Sequence, residues 1–265
     1  MRTFVLAATV ALAGCYDFVG ERGKVGFGTD LYVPGGMTWT PRTPIASGSV
    51  VGVVALCAVD SATGDCEGEQ DMTGELMARG IDVGRKRLPE WQESVFAIRG
   101  QDGDRGVVRY EDEDRHDRFR VQFSEPVAAS VVPEHSEQDP AQAWAVLSER
   151  ATQFEVWLTN SKGEGLAFPV DQLWVDTDTD WTVEWEEGRL SVVPNGEDGE
   201  VGIVRIGFDD RMLGELELRV TDREAIDGWE AVVSEDADGQ PYVERVWWAD
   251  GWPVATFIEG SMSLL

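Results

Sequence analysis

Short segments with alternating polarity, separated by turn residues, are the feature that most constrains the fold of this 265-residue sequence. The clearest are Phe154 to Thr159 and Trp181 to Glu186. A period of two places the two tryptophans of the second segment on one face of a strand. Segment 49–59 is instead continuously apolar and β-branched, which is typical of a strand covered on both faces. The pattern predicts an all-β protein.

Two segments carry a weaker helical signal. Met72 to Arg79 has a weakly helical spacing of apolar residues. Ala141 to Arg150 follows Asp139 and Pro140, which suit the N-cap and first position of a helix. For this second segment a short helix and an irregular edge strand are both open.

An internal period divides the chain. Gly64 and Gly163 are 99 residues apart, and Phe119 of Phe-Arg-Val and Leu218 of Leu-Arg-Val have the same separation. Equal spacing at two points predicts duplication of a unit of about one hundred residues. We therefore expect β-sandwich domains at 23–124 and 125–222. Segment 223–265 is too short for a full unit, so it is either a partial repeat or a β-meander.

The N-terminus predicts export. Met1 and Arg2 precede the uncharged run Thr3 to Ala13, the layout of a secretory signal over 1–14, and that run is too short to span a bilayer. Leu12-Ala13-Gly14-Cys15 resembles the lipobox of bacterial lipoproteins. The resemblance implies that Cys15 carries a lipid, with acyl chains such as palmitate, and that residues 15–22 form a tether. It also implies an extracytoplasmic position in the bacterial cell envelope, at the outer membrane. An ordinary secretory signal or a chance cysteine is the alternative.

The other two cysteines are predicted to form a disulfide. Cys57 and Cys66 flank a segment rich in turn-forming residues, which suits a bond across a hairpin in an oxidising compartment. A metal site and a redox pair are the rivals, but neither a Cys-x-x-Cys spacing nor a nearby histidine is present.

The charge restricts the partners. A formal net charge of −28 repels phosphate backbones and anionic headgroups, so nucleic acid is excluded and an acyl chain must hold the protein at a membrane. The basic run Arg85-Lys86-Arg87 is interpreted as a solvated or acid-paired loop. Asp176, Asp178 and Asp180 space their carboxylates as in a calcium loop, although Trp181 stands where that loop needs glycine. The favoured interpretation is a solvated loop between strands with no cofactor, and a calcium site at these carboxylates is the alternative.

Tryptophans are the candidate contact residues. Alternation points Trp157 away from the face of Phe154 and Val156, and Trp248 and Trp252 lie beside the Asp250-Gly251 turn. Exposed indoles there would suit a glycan or another surface protein. Packing within the core or between domains is the alternative.

Catalytic motifs are missing. The sequence contains no Gly-x-Ser-x-Gly elbow, His-Glu-x-x-His helix or phosphate loop, and its 2 histidines lie among charged or loop residues. We therefore expect that the protein is not an enzyme.

The segment from Phe154 to Val220 resembles bacterial immunoglobulin-like repeats of the invasin and intimin type. The resemblance rests on the opening strand and Gly163 turn, the run Gly188-Arg-Leu-Ser-Val-Val-Pro-Asn-Gly, and the closing Leu216-Glu-Leu-Arg-Val. It implies tandem immunoglobulin-like β-sandwiches without catalytic residues, and a structural, adhesive or binding role at the cell surface. A calcium- or glycan-binding module is the alternative function.

Overall fold

The computed structural model describes residues 18–19, 24–37, 39–59, 72, 74–88, 94–133, 143–186, 188–235 and 241–255, with side chains left undescribed at 18–19 and 230–245. Within these ranges the chain forms β-strands and three short 3₁₀ turns, Pro34–Gly36, Val170–Gln172 and Arg223–Ala225, and no α-helix. This confirms the expected all-β class. The signal, the tether, Cys15 and Cys66 lie outside the described residues.

Ten strands come from the first half of the chain. They are β1 (Phe18–Val19), β2 (Val25–Thr29), β3 (Leu31–Tyr32), β4 (Ile45–Ala46), β5 (Val51–Ala58), β6 (Glu75–Arg79), β7 (Asp82–Arg87), β8 (Ser94–Arg99), β9 (Arg105–Glu111) and β10 (His116–Ser124).

Thirteen strands follow in the second half. They are β11 (Ala128–Pro133), β12 (Trp144–Leu147), β13 (Thr152–Thr159), β14 (Gly165–Leu166), β15 (Phe168–Pro169), β16 (Leu173–Thr177), β17 (Thr182–Glu186), β18 (Arg189–Val193), β19 (Val201–Phe208), β20 (Arg211–Thr221), β21 (Ile226–Glu235), β22 (Pro241–Ala249) and β23 (Trp252–Val254).

The first sandwich packs two sheets around one core. One sheet has the order β1-β2-β5-β8-β7 and the other the order β4-β10-β9-β6, with β4 parallel to β10. Inward residues of both sheets meet in the core, where Phe119 contacts Phe27 and Trp39 edge to face with ring centroids 4.9 and 5.9 Å apart. Burial of such rings is the main stabilising contribution to a small sandwich.

The second sandwich repeats this order. Its sheets are β11-β13-β18-β17 and β16-β19-β20-β12, and β12 is parallel to β20 as β4 is to β10. Both units thus have the strand order of an immunoglobulin-like domain, with a first strand divided between the two sheets. Phe119 and Leu218 are fully buried on corresponding last strands. The strand order confirms tandem immunoglobulin-like sandwiches, while Gly64, one of the sequence anchors, lies outside the described residues.

The last three strands extend the second sandwich. β21, β22 and β23 form an antiparallel meander, and β23 pairs in parallel with β12 through Ala145 and Val254. The sheet thereby grows to seven strands, with β21 at its edge.

The helical signal at Met72 to Arg79 was wrong, and of the two alternatives left open for Ala141 to Arg150 the structure shows a strand, inside the sheet and not at its edge. The Met72 to Arg79 segment contains strand β6, and the Ala141 to Arg150 segment contains strand β12. All four residues of β12 are buried, since Trp144 and Val146 enter the sandwich core and Ala145 packs under the meander. Burial on both sides explains why β12 lacks the alternation of its neighbours.

Candidate functional site

The two sandwiches are joined by backbone pairing. β3 of the first pairs with β15 of the second, where Tyr32 lies opposite Phe168. Beside this pair the Ala46 N–H donates to the Ala167 carbonyl and the Ala167 N–H donates to the Pro44 carbonyl, both at 2.9 Å. The two domains are therefore connected by more than the chain between them.

Side chains cross this junction in both directions. Tyr32 packs against the core of the second sandwich, with its ring centroid 5.5 Å from that of Phe168 and 6.1 Å from that of Trp185. In return, Ala167 is fully buried in the core of the first sandwich. A ring held edge to face by two others restricts rotation of one domain against the other.

A largely buried lysine bridges the domains. Lys86 Nζ lies 2.7 Å from Asp30 Oδ2 in the first sandwich and 2.9 Å from Asp171 Oδ1 in the second. The Lys86 and Asp30 side chains are each 10% exposed. Burial lowers the pKa of Lys86, but the charges and hydrogen bonds of Asp30 and Asp171 outweigh it, so this pKa is raised above 10.5. Burial raises the pKa of the Asp30 carboxyl above 3.8, against the opposing effect of Lys86.

Neither Tyr32 nor Lys86 was a candidate from the sequence. Lys86 lies in a basic run that we interpreted as a solvated or acid-paired loop; it lies instead on strand β7, and the acid-paired half of that interpretation is what the structure shows. Alternation along the strand was the signal that could have identified Lys86, because Arg85 and Arg87 are exposed while Lys86 between them is partly buried.

Trp157 lies at the junction. It points outward from β13, as alternation indicated, but the 3₁₀ turn Pro34–Gly36 of the first sandwich covers it, and Gly35 lies beside its six-membered ring. The Gly35 N–H also donates to Glu155 Oε2 at 3.0 Å. Trp157 is therefore half-buried between domains, which is the inter-domain packing that the sequence left open for it.

The C-terminal tryptophans divide between two faces of the meander. Trp252 and Trp247 pack with Ile226 on the outward face, over Ala145 and Val254. The register places Trp229 opposite Trp247, with ring centroids 6.4 Å apart, and Trp229 is 51% exposed. Trp248 points the other way and is half-buried. We call Trp229, Trp247 and Trp252 the tryptophan face.

The aspartate loop is arranged by contacts within the protein. Asp176 faces Arg205 at 3.9 Å, and Asp178 Oδ1 accepts the Ile203 N–H at 2.9 Å. Asp180 is exposed beyond them. In the described part of the chain no group of three or more His, Cys, Asp or Glu side chains has the spacing of a metal site. Calcium binding by these three residues stays a prediction of the sequence.

The remaining predictions concern the cysteines and the membrane. Cys57 is 2% exposed near the end of β5. Because Cys66 and Cys15 lie outside the described residues, the disulfide and the lipid attachment stay predictions. No helix within the described ranges has the length and apolarity needed to cross a bilayer.

Comparison with known proteins gives structural likeness only. No protein-family model and no curated protein matches the sequence. The S-layer protein SbsC is 15% identical, with a TM-score of 0.28 over 75% of this chain, which spans 28% of that one. Invasin, a bacterial integrin-binding protein, is 11% identical, with a TM-score of 0.26 over 82% of this chain and 42% of its own. InvD of Yersinia pseudotuberculosis is 9% identical, with a TM-score of 0.27 over 81% of this chain and 70% of its own. TM-scores this low support no inference about function. The fold class therefore rests on the strand order described above.

Proposed function

We propose that this protein is a lipid-anchored spacer of the bacterial cell envelope, at the outer membrane, that holds a contact surface away from the membrane. The role is structural or adhesive, with no catalysis. The observation that carries the proposal is the interlocked junction, in which backbone pairing, Tyr32 and Lys86 fix two sandwiches against each other. A binding module that needed only one domain would not require such a joint.

The tryptophan face is the proposed contact surface, for another surface protein or a glycan. Large exposed apolar patches on soluble domains mark interaction sites, and indole rings are frequent anchors in them. Trp229 at 51% exposure beside Trp247 supplies such a patch on the meander of the second sandwich. No contact among the described residues favours calcium as a ligand of this protein.

Membrane fractionation tests the anchor. In a bacterial host, the wild-type protein is expected in the membrane fraction and to incorporate labelled palmitate, whereas Cys15→Ser releases it to the soluble fraction without label. Unlabelled wild-type protein, or a Cys15→Ser variant that remains in the membrane, would refute lipid attachment.

Adhesion tests the contact surface. Cells displaying the protein are expected to lose attachment to a host-matrix or glycan surface when Trp229 and Trp252 are changed to Ala, while Met212→Ala, a change at another exposed apolar residue, leaves attachment intact. Equal attachment of cells displaying the wild type, the double tryptophan variant and Met212→Ala would show that the tryptophan face is not the contact surface.

A further inference from the structure

Strand β21 differs from the other strands at the edges of the described sandwich sheets. It has 10 residues, whereas β1, β4, β6, β7, β11, β16 and β17 have between 2 and 6. A bulge between Ile226 and Gly228 interrupts its start, but its register with β22 is continuous from Gly228 to Glu235. Short length, lysine and proline are the usual protections of a sheet edge against pairing with another chain. β21 is long and contains no lysine or proline.

The direction of the β21 backbone groups follows from the neighbouring strands. The Ala255 N–H donates to the Ala145 carbonyl at 2.8 Å, so Ala255 faces β12. The residue before it, Val254, therefore directs its N–H and C=O to β22, where it lies opposite Trp247. Trp247 in turn faces β23, so the residue opposite it on β21, and every second residue from there, directs its N–H and C=O away from β22. These residues are Trp229, Ala231, Val233 and Glu235. No described strand lies beyond β21.

The same register aligns side chains on the tryptophan face. Ala145, Val254, Trp247 and Trp229 lie opposite one another on neighbouring strands. Trp229, on the edge strand, is 51% exposed. A strand added beside β21 would place a side chain about 5 Å from that of Trp229 and would extend this row. The edge thus offers main-chain hydrogen bonds together with a side-chain contact, the combination by which a sheet recognises an added strand.

We propose that β21 binds an extended, basic segment of a partner protein, which adds to the seven-stranded sheet as a further strand. β21 contains Asp227, Glu230 and Glu235 and no lysine or arginine. A segment rich in lysine or arginine is attracted to this acidic strand, whereas a second copy of the chain, with its net charge of −28, brings like charge to it. The inference names the partner of the tryptophan face and rests on the proposed function in that respect, but it does not depend on the lipid anchor.

Amide hydrogen exchange followed by NMR tests the proposal on the full chain carrying Cys15→Ser, so that no acyl chain contributes. The probe is a peptide of alternating lysine and valine, as long as β21. The amides of Ala231 and Val233 are expected to exchange fast in the free protein and at least about tenfold more slowly with the peptide, because a hydrogen-bonded amide exchanges only when the strand detaches. The amides of β16, at the other edge of the same sheet, should be unchanged.

Two control peptides separate backbone pairing from charge. The same peptide with D-valine keeps the charge but cannot form a regular strand, and a peptide of alternating glutamate and valine keeps the strand but reverses the charge. Neither should slow exchange at Ala231 and Val233. Equal protection by either control, or no protection by the lysine peptide, would overturn the proposal.

Exchange in the absence of peptide distinguishes the other occupants. Slow exchange of Ala231 and Val233 at every protein concentration would assign the edge to another segment of this chain. Protection that increases with protein concentration would assign it to a second copy. Either result would overturn the proposal.

Proline variants test the edge itself. Val233→Pro removes an outward N–H and leaves the ladder with β22 in place, so it should abolish protection of Ala231 by the peptide while the melting temperature changes little. The matched control is Val175→Pro on β16. The Asp178 N–H donates to the Ile203 carbonyl, so by the period of two Val175 directs its N–H outward from the opposite edge, and this variant should keep the protection of β21. Ala231→Pro, with Val233 as the reporter, replaces Val233→Pro if that variant unfolds. Undiminished protection in the β21 proline variant would contradict strand addition.

Strand addition and the contact surface can fail separately. If the lysine peptide gives no protection while the change of Trp229 and Trp252 to Ala still abolishes cell attachment, strand addition is wrong and the contact surface stands. If the peptide protects β21 while the tryptophan changes leave attachment intact, the tryptophan face is not the contact surface and strand addition stands.

Discussion

At the scale of single residues, Lys86 links the energetics of the junction to pH. Its ammonium group is the charged partner of the Asp30 carboxylate, which is otherwise held by the Gly52 N–H at 2.7 Å. Removing one member of a buried ion pair costs more than the pair contributes, because the other charge is left uncompensated.

The first prediction follows from this pair. Lys86→Met is expected to lower the free energy of unfolding by about 3–5 kcal/mol at neutral pH. Burial already raises the pKa of the Asp30 carboxyl, and Lys86 opposes that rise, so removing Lys86 raises this pKa further. The folded variant therefore binds the proton more tightly than the folded wild type does, and the loss shrinks as the pH falls. Urea unfolding at neutral and mildly acidic pH measures both effects.

Two variants serve as controls for it. Asp171→Asn removes a partner that is 57% exposed, and should cost at most about 1 kcal/mol. Combining Lys86→Met with Asp30→Asn removes both buried charges and should recover most of the stability. A loss of the same size at both pH values would show that packing, and not charge, explains the effect.

At the scale of elements, alternation correctly predicted strands that have one face buried and the other solvated. β17 illustrates this, because Trp181, Val183 and Trp185 do lie on the core side. For β12 a helix and an edge strand stayed open, because both of its faces are covered and its sequence has no period of two. β6 was missed because only part of the Met72 to Arg79 segment is a strand, and its outward positions include the apolar Met77, which weakens the alternation.

The turn between β17 and β18 gives the second prediction. Gly188 has a φ of 82°, and a Cβ there would collide with the Tyr32 ring of the other sandwich. Gly163 has a φ of 77°, but open space around it. Gly163→Ala should therefore cost only the backbone strain, about 1–2 kcal/mol, and Gly188→Ala should cost about 1–3 kcal/mol more through overpacking.

Thermal and urea unfolding of both alanine variants measure this difference. Adding Tyr32→Ala to Gly188→Ala should remove the excess cost, since the colliding ring is gone. Equal stability of Gly188→Ala and Gly163→Ala would mean that Tyr32 does not occupy the end of the second sandwich.

The end of β5 gives the third prediction, on the disulfide. Changing Cys57 and Cys66 together to Ser is expected to lower the free energy of unfolding by about 2–3 kcal/mol, because the bond restrains a short loop in the unfolded chain. Mass spectrometry of the unreduced protein checks the bond itself. Two alkylated thiols at these positions in protein isolated from an oxidising compartment would contradict it.

At the scale of the whole molecule, the period of 99 residues in the sequence predicted the duplication, because each unit repeats the same order of short strands. The junction could not be predicted in the same way. Its contacts join Tyr32 with Phe168 and Lys86 with Asp171, and no local pattern encodes which distant residues meet.

The spacer proposal depends on whether the two sandwiches behave as one body. Backbone residual dipolar couplings of the full chain in a weakly aligning medium measure this directly, since each domain reports its own alignment. The interlocked junction predicts that one alignment tensor fits the amides of both sandwiches. Two tensors of clearly different magnitude would show that the domains reorient independently, and would contradict a rigid spacer.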